Sequence, residues 1–339
     1  MMNGIIVINK GLGFTSHDVV AKMRGICGQK KIGHTGTLDP GATGVLPVCL
    51  GSGTKLSDML MDSNKEYVAE LLLGVRTDTQ DMTGTVLSDS YRVLSQIKPD
   101  PAPEGGISKG ACQGSVQQEN PEGQLPQGAT TESLPVTEPE VRQACESFLG
   151  EYLQVPPMYS ALKVNGKKLY ELARSGREVE RKPRAVSIIE MEILQVCLPV
   201  VKLRVVCSKG TYIRTLCADI GERLGVGGTM KSLKRTKAGG FTLGDAITLE
   251  ELQQYRDHDR LEEVVRPVES VFNGNPQMHV HKDWERLLIN GNAILPAQTV
   301  EKEVYAPGRW VCFYGTDGVF AGIYAYDGEK GRYQCVKKF

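Results

Sequence analysis

The sequence predicts an α+β fold with a small β-rich region near its carboxy-terminal end, and three observations carry that expectation. Strand-like apolar runs and helix-period segments are interspersed without regular βαβ alternation. From about residue 275, two strand-like runs, Trp310 to Tyr314 and Val319 to Tyr326, flank Thr316-Asp317-Gly318, a hairpin signal. The 339 residues are 40% hydrophobic and 24% charged, which gives room for two domains and a sizeable core.

Taken in order, Gly4 to Asn9 reads as a buried strand. GLGFTSHDVVAKMRGI follows as a helix, with Thr15 or Ser16 as N-cap and Asp18 in the first turn, where its charge favours the helix dipole. Strands are expected at Val45 to Leu50, Glu66 to Leu73 and Gly84 to Leu87, with the turn-rich RTDTQDMTG segment, Arg76 to Gly84, before the last. Residues 98–137 are dense in Pro, Gly, Gln, Ser and Glu and cannot bury enough apolar area to offset chain entropy; they read as a flexible, mildly acidic insertion. A capped helix starts at Thr137-Glu138-Pro139-Glu140 and leads into Val141, Ala144, Cys145 and Phe148. Val201 to Cys207 alternates like a strand, and the Ser208-Lys209-Gly210 turn delivers a helix. Its face is Ile213, Leu216, Cys217, Ile220 and Leu224, with Gly225 at C′.

Composition excludes several classes. The 40 basic residues balance the 40 acidic ones, so the chain is not coated in basic charge, although local patches remain open. The apolar stretches are too short to span a bilayer. MMNGIIVINKG lacks a basic region followed by a long apolar run, so no secretory signal and a cytoplasmic location are expected. Nine scattered cysteines, with no C-x-x-C pair and no zinc spacing, read as free thiols in a reducing compartment. There is no P-loop, no H-E-x-x-H and no zinc-deaminase signature, so no metal and no cofactor are implied.

The densest information lies in residues 33–56, GHTGTLDPGATGVLPVCLGSGTKL. Asp39 sits in a tight turn among Gly36, Gly41 and Gly44, with Pro40 fixing the following backbone angle. Asp-Pro-Gly alone is ordinary turn chemistry. A carboxylate on a stiff loop beside His34, Thr35 and Thr37 can also serve as nucleophile or general base. Lys55 either holds structure or binds phosphate.

Two stretches concentrate positive charge. The first holds Lys163, Lys167, Lys168, Arg174 and Arg181, the second Lys202, Arg204, Lys209 and Arg214 with further cations to Lys237. A charge run is commonly a solvated face; interleaved Tyr159 and Tyr170 tilt the first towards RNA backbone contact.

The 33–56 segment, with its flanking GxGTKL, resembles the catalytic motif of the TruB family of tRNA pseudouridine synthases. The resemblance covers about residues 4–95 and 138–250. It departs at Gly11, where the family often has proline, and in the insertion. It implies a pseudouridine synthase fold, a mixed and mainly antiparallel sheet flanked by helices, in a catalytic domain at 1–272. A PUA-like RNA-binding domain would follow at 275–339. Asp39 matches the family's catalytic aspartate. Tyr67, in SNKEYVAEL, matches a tyrosine packed on the target base; Tyr212 and Arg214, in KGTYIRTL, match pocket residues, the arginine pairing with the aspartate. Leu233, in SLKRT, matches an apolar pocket residue, and His34 a histidine stacking within the distorted T-loop. YSALKVNGKKLYELARSG, within about 157–185, resembles the part that clamps RNA.

The implied activity is isomerisation of uridine 55 in the T-arm of tRNA, by base flipping and an aspartate-dependent break of the glycosidic bond, with no protein partner required. Two rivals predict different behaviour. A guide-RNA-dependent synthase would be inactive on naked tRNA, and an RNA-binding folding helper would bind without essential catalysis.

Overall fold

The computed structural model describes residues 1–96, 134–164 and 166–339. Most of the predicted insertion therefore lies outside the described residues. Two compact units are present: 1–40, 44–62 and 238–339 form one, and 41–43 with 63–237 form the other.

In the first unit the strand Gly4–Lys10 runs antiparallel to Ala42–Leu50, from Gly4 opposite Leu50 to Lys10 opposite Gly44. Ile32–His34 pairs antiparallel with the same partner, His34 opposite Val48. The helix Ser16–Cys27 begins at Thr15, whose hydroxyl accepts from the Asp18 N–H while the Asp18 carboxylate accepts back from the Thr15 N–H at 2.8 Å. The Thr15 hydroxyl, which also donates to the carboxylate at 2.6 Å, and the Thr15 N–H hold the Asp18 carboxyl below its ordinary range. Gly28 ends the helix in the left-handed region.

The carboxy-terminal sheet belongs to this unit. Gln277–His279 runs parallel to Trp310–Tyr314, followed antiparallel by Phe320–Asp327 and Arg332–Lys338. Strand alternation gives the sheet two apolar faces. Val311 and Phe313 pack with Met278, Tyr324 and Tyr333. Cys312 points the other way and joins Ile5, Val7, Val45, Phe241 and Phe272. The expected hairpin is present, closed by Gly315 N–H to the Val319 carbonyl at 3.0 Å, with Gly318 at φ 73°.

The second unit is built on strands in the order Gly228–Ala238, Lys65–Leu73, Val200–Cys207, Arg184–Cys197 and Gly150–Gln154. Lys65–Leu73 and Val200–Cys207 are antiparallel, placing Val205 opposite Tyr67. Val200–Cys207 is alternately buried, as its pattern predicts. The helix Glu138–Glu146 starts at the Thr137–Glu140 capping box and buries Val141, Ala144 and Cys145. The helix Ile213–Arg223 buries Ile213, Leu216, Cys217 and Ile220, and Gly225 follows at φ 75°.

Among the described residues seven cysteines are free thiols, six of them buried. The free-thiol expectation does not extend to Cys197, which is disulfide-bonded. Among the described residues no helix is long and apolar enough to cross a membrane.

Candidate active site

The Asp39 loop is tied down on both sides of the acid. Ser16, fully buried at the start of its helix, accepts the Leu38 N–H at 2.8 Å through its hydroxyl, which reaches back to the Leu38 carbonyl at 3.4 Å. On the other side the Gly13 N–H donates to the Pro40 carbonyl at 2.9 Å. Thr35 is anchored through both its N–H and its hydroxyl to the Pro47 carbonyl. Gly36 and Gly44 take φ of 148° and 105°, so their glycines are required. Gly41 is absent from the positive-φ glycines; its expected backbone role is not used. Leu38 is buried, and Asp39 itself is half-buried on this fixed support.

Lys10 adds a second layer. Its side chain is fully buried, and its ammonium donates to the carbonyls of Gly11 at 3.0 Å and Phe14 at 2.6 Å. That bridge shapes the turn from which Gly13 reaches Pro40. His34 is half-buried, its ring edge-on to His17 at 5.1 Å, and its Nδ1 accepts the Gly36 N–H at 3.3 Å. The Lys55 ammonium donates to the Lys338 carbonyl at 3.0 Å, holding the last strand.

In the second unit Tyr67 is half-buried on Lys65–Leu73, and Leu233 is buried on Gly228–Ala238. Tyr212 is the N-cap residue of Ile213–Arg223. The buried Gln154 amide grips it from both sides, accepting from the Tyr212 N–H at 2.8 Å and donating to its carbonyl at 3.0 Å.

Arg214 follows, only 5% exposed, near the positive end of the helix dipole, where a cation is disfavoured. Fixed acceptors offset that cost. The guanidinium meets the Asp81 carboxylate at 3.4 Å, the Thr79 carbonyl at 3.3 Å and the Tyr159 carbonyl at 2.9 Å. Asp81 is itself held by the Thr79 hydroxyl, the Thr83 hydroxyl and the Thr83 N–H, all on Oδ1. The Arg214–Asp81 pair was not read from the sequence; the one signal is the acid inside the turn-rich 76–84 stretch.

The basic segment forms a hairpin, Lys163–Val164 with Lys167–Lys168, leading into the helix Leu169–Arg174. Lys167 and Arg174 are exposed. The Lys168 ammonium and the Arg174 guanidinium both stand over the Tyr170 ring, at 5.3 and 5.5 Å. Arg181 closes the segment, donating to the Pro156 carbonyl at 3.2 Å.

Comparison with known proteins bears on this arrangement. The model of the TruB family pseudouridylate synthase N-terminal domain matches residues 24–102 and 109–213. That of the tRNA pseudouridylate synthase B C-terminal domain matches 214–273. A protein of Lachnoclostridium phytofermentans named tRNA pseudouridine synthase B is 44% identical, covering 100% of both chains. One of the same name from Alkaliphilus oremlandii is 42% identical over 92% of this chain and 90% of its own. Among solved structures, an H/ACA ribonucleoprotein bound to a substrate RNA contains a chain similar in fold, with TM-score 0.65 and 22% identity, covering 99% of this chain and 84% of that one. On the family models matched across residues 24–273 and the identity to these relatives, the chain belongs to the TruB family of pseudouridylate synthases.

Proposed function

We propose that this chain isomerises uridine to pseudouridine in tRNA, at position 55 of the T-arm, without guide RNA or a protein partner, and does so in the cytoplasm. The observation that supports it most is the 44% identity along the full length to a protein named tRNA pseudouridine synthase B. The fixed loop supporting Asp39 is consistent with this reading, because a catalytic carboxylate works best when its position is set before substrate arrives.

The reaction breaks the C1′–N1 bond, turns the uracil in place and joins C1′ to C5. N1 gains a proton and C5 loses one, so atoms and electrons balance with no external reagent. Asp39 is the proposed catalytic acid residue, as nucleophile or base. Tyr67 forms an aromatic wall for the detached base and Leu233 an apolar floor, with Tyr212 beside them. Arg214 keeps the Asp39 carboxylate ionised and aimed. His34 stacks inside the distorted T-loop, where the cost of unstacking the target is lowest. Lys163, Lys167, Lys168, Arg174 and Arg181 contact the phosphate backbone, and Lys55 lies within the substrate-binding set.

The test is activity of the purified chain on an unmodified tRNA transcript, with no guide RNA added. Pseudouridine at position 55, absent from a transcript carrying cytidine there, is the expected result. Binding without modification would favour a guide-dependent synthase or a folding helper.

A further inference from the structure

A cavity of about 510 Å³ is lined by Thr215, Asp219 and Arg223 of the helix Ile213–Arg223 and by Arg181 of the basic segment. Its volume falls within the range of small-ligand sites. Phe148, Tyr152, Arg181, Asp219, Arg223 and Gln80 are among its walls.

Three of these side chains present polar groups, and one of those groups is buried without a partner among the described residues. Arg181 uses its two terminal nitrogens on the Pro156 carbonyl and on Glu178, yet its buried Nε–H has no acceptor. Gln80, half-buried, takes the Thr215 hydroxyl on its carbonyl oxygen at 2.7 Å and keeps its amide nitrogen as a further donor. Asp219 has neither a hydrogen bond nor an ion pair, and burial, with a smaller contribution from Glu222, pushes its carboxyl up to about 6. Buried polar groups are nearly always satisfied, so the buried Arg181 Nε–H left unmet points to an absent partner. The rest of the wall combines the rings of Phe148 and Tyr152 with the apolar side chains of Leu153 and Val155 and with Ser147 and Thr215. The rings of Phe148 and Tyr152 meet edge to face at 5.3 Å, and the Arg223 guanidinium stands over Phe148 at 5.8 Å.

The complementary ligand has a planar face, a pair of donors for a carboxylate and acceptors for an arginine or amide. Guanine has these features, with N1–H and the 2-amino group on one edge and O6 and N7 on the other. Adenine places a single exocyclic donor between acceptors, and uracil flanks its only such donor with two carbonyls, so both meet the carboxylate poorly. We propose that this cavity is a guanine-binding site, with Asp219 reading the N1–H and 2-amino edge, Arg181 and Gln80 reading O6 and N7, and the aromatic wall stacking on the base. The guanine comes either from a single-stranded nucleotide of the RNA substrate or from a free guanine nucleotide. The RNA source rests on the proposed tRNA substrate; the free-nucleotide source does not.

Protonation of Asp219 removes the acceptor, so guanine binding is lost as pH falls through about 6. The other charged or titratable groups around it are Glu222 and Arg223 on the same helix, Tyr152 on Gly150–Gln154 and Arg181 on the basic segment. Glu222 is engaged by Arg76, which holds its carboxyl below its ordinary range.

Calorimetric titration of the full chain with GMP, IMP and AMP tests the free-nucleotide source. IMP keeps N1–H and O6 but lacks the 2-amino group, and should bind on the order of tenfold more weakly than GMP. The RNA source is tested with tRNA transcripts in which single guanosines are replaced by inosine. One position should weaken wild-type binding on the order of tenfold and leave Asp219→Asn binding unaffected beyond the general effect of inosine on the RNA. GMP preference lost in Asp219→Asn assigns a nucleotide site, and a single inosine-sensitive position lost in that variant assigns an RNA nucleotide. Equal binding of the three nucleotides, or no binding of any together with no variant-dependent inosine position, overturns the proposal. The wild-type comparisons stand without the variant. Failure of pseudouridine formation alongside retained GMP preference would remove the T-arm reading and leave this one.

Discussion

Replacing Asp81 with asparagine tests how the buried Arg214 is held. The two side chains are 6% and 14% exposed, and their closest approach is 3.4 Å. Removing one partner of a buried ion pair typically destabilises by 3–5 kcal/mol, because the other charge is left uncompensated. Here the bond is long, and the Thr79 and Tyr159 carbonyls at 3.3 and 2.9 Å continue to solvate the guanidinium. The expected loss for Asp81→Asn is therefore nearer about 2–3 kcal/mol. Asparagine keeps the oxygen that accepts from Thr79 and Thr83, so the local turn should survive. Urea denaturation at pH 7.5 measures the loss, and Arg214→Met and the double variant complete a cycle. The coupling should exceed about 1 kcal/mol, since contacting charges are not additive. On the role proposed above for Arg214, single-turnover pseudouridine formation should fall on the order of a hundredfold in Asp81→Asn. A stability loss below about 0.5 kcal/mol, or additivity within that margin, would refute the reasoning.

Three further outcomes follow from named contacts. Ser16→Ala leaves the buried Leu38 N–H and carbonyl without their partner and should destabilise by about 1–3 kcal/mol, with kcat falling more than KM rises; an unchanged denaturation midpoint would contradict the anchoring role. Asp219→Asn should stabilise the chain by about 1–2 kcal/mol at pH 8, the half-exposed carboxylate being partly screened by solvent. The raised carboxyl penalises folding above the unfolded value of 3.8, increasingly up to about 6, so the gain should vanish near pH 4, and a gain independent of pH would refute it. Changing Lys167, Lys168 or Arg174 singly to glutamine should weaken tRNA binding uniformly and lower the salt slope by about one; an unaltered slope would return that face to ordinary solvated charge.

What the sequence discloses divides along the range of the interactions. The Asp39 turn, the Thr137 cap, the alternation of Val200–Cys207 and the apolar stripe of Ile213–Arg223 are local patterns, and each is found where the pattern places it. Arg184–Cys197 was not read as a strand. It alternates acidic and apolar residues and leaves many of them exposed, so no burial pattern marks it. The supports of the candidate site are non-local. Ser16 reads as a possible cap, yet Thr15 caps the helix and Ser16 reaches Leu38, 22 residues away. Arg214 meets Asp81 across 133 residues, and Lys55 meets Lys338 across 283. Pairings of that range are set by tertiary packing, and a lysine as buried as Lys10 runs against its usual exposure, so composition gives no warning of it.

The most direct test of the central claim is pseudouridine mapping on an unmodified tRNA transcript, with purified wild type beside Asp39→Asn. The account predicts pseudouridine at position 55 with wild type and none with the variant, while both bind the transcript with similar affinity. Equal modification by the two proteins would contradict it, because Asp39 would then not be the catalytic residue.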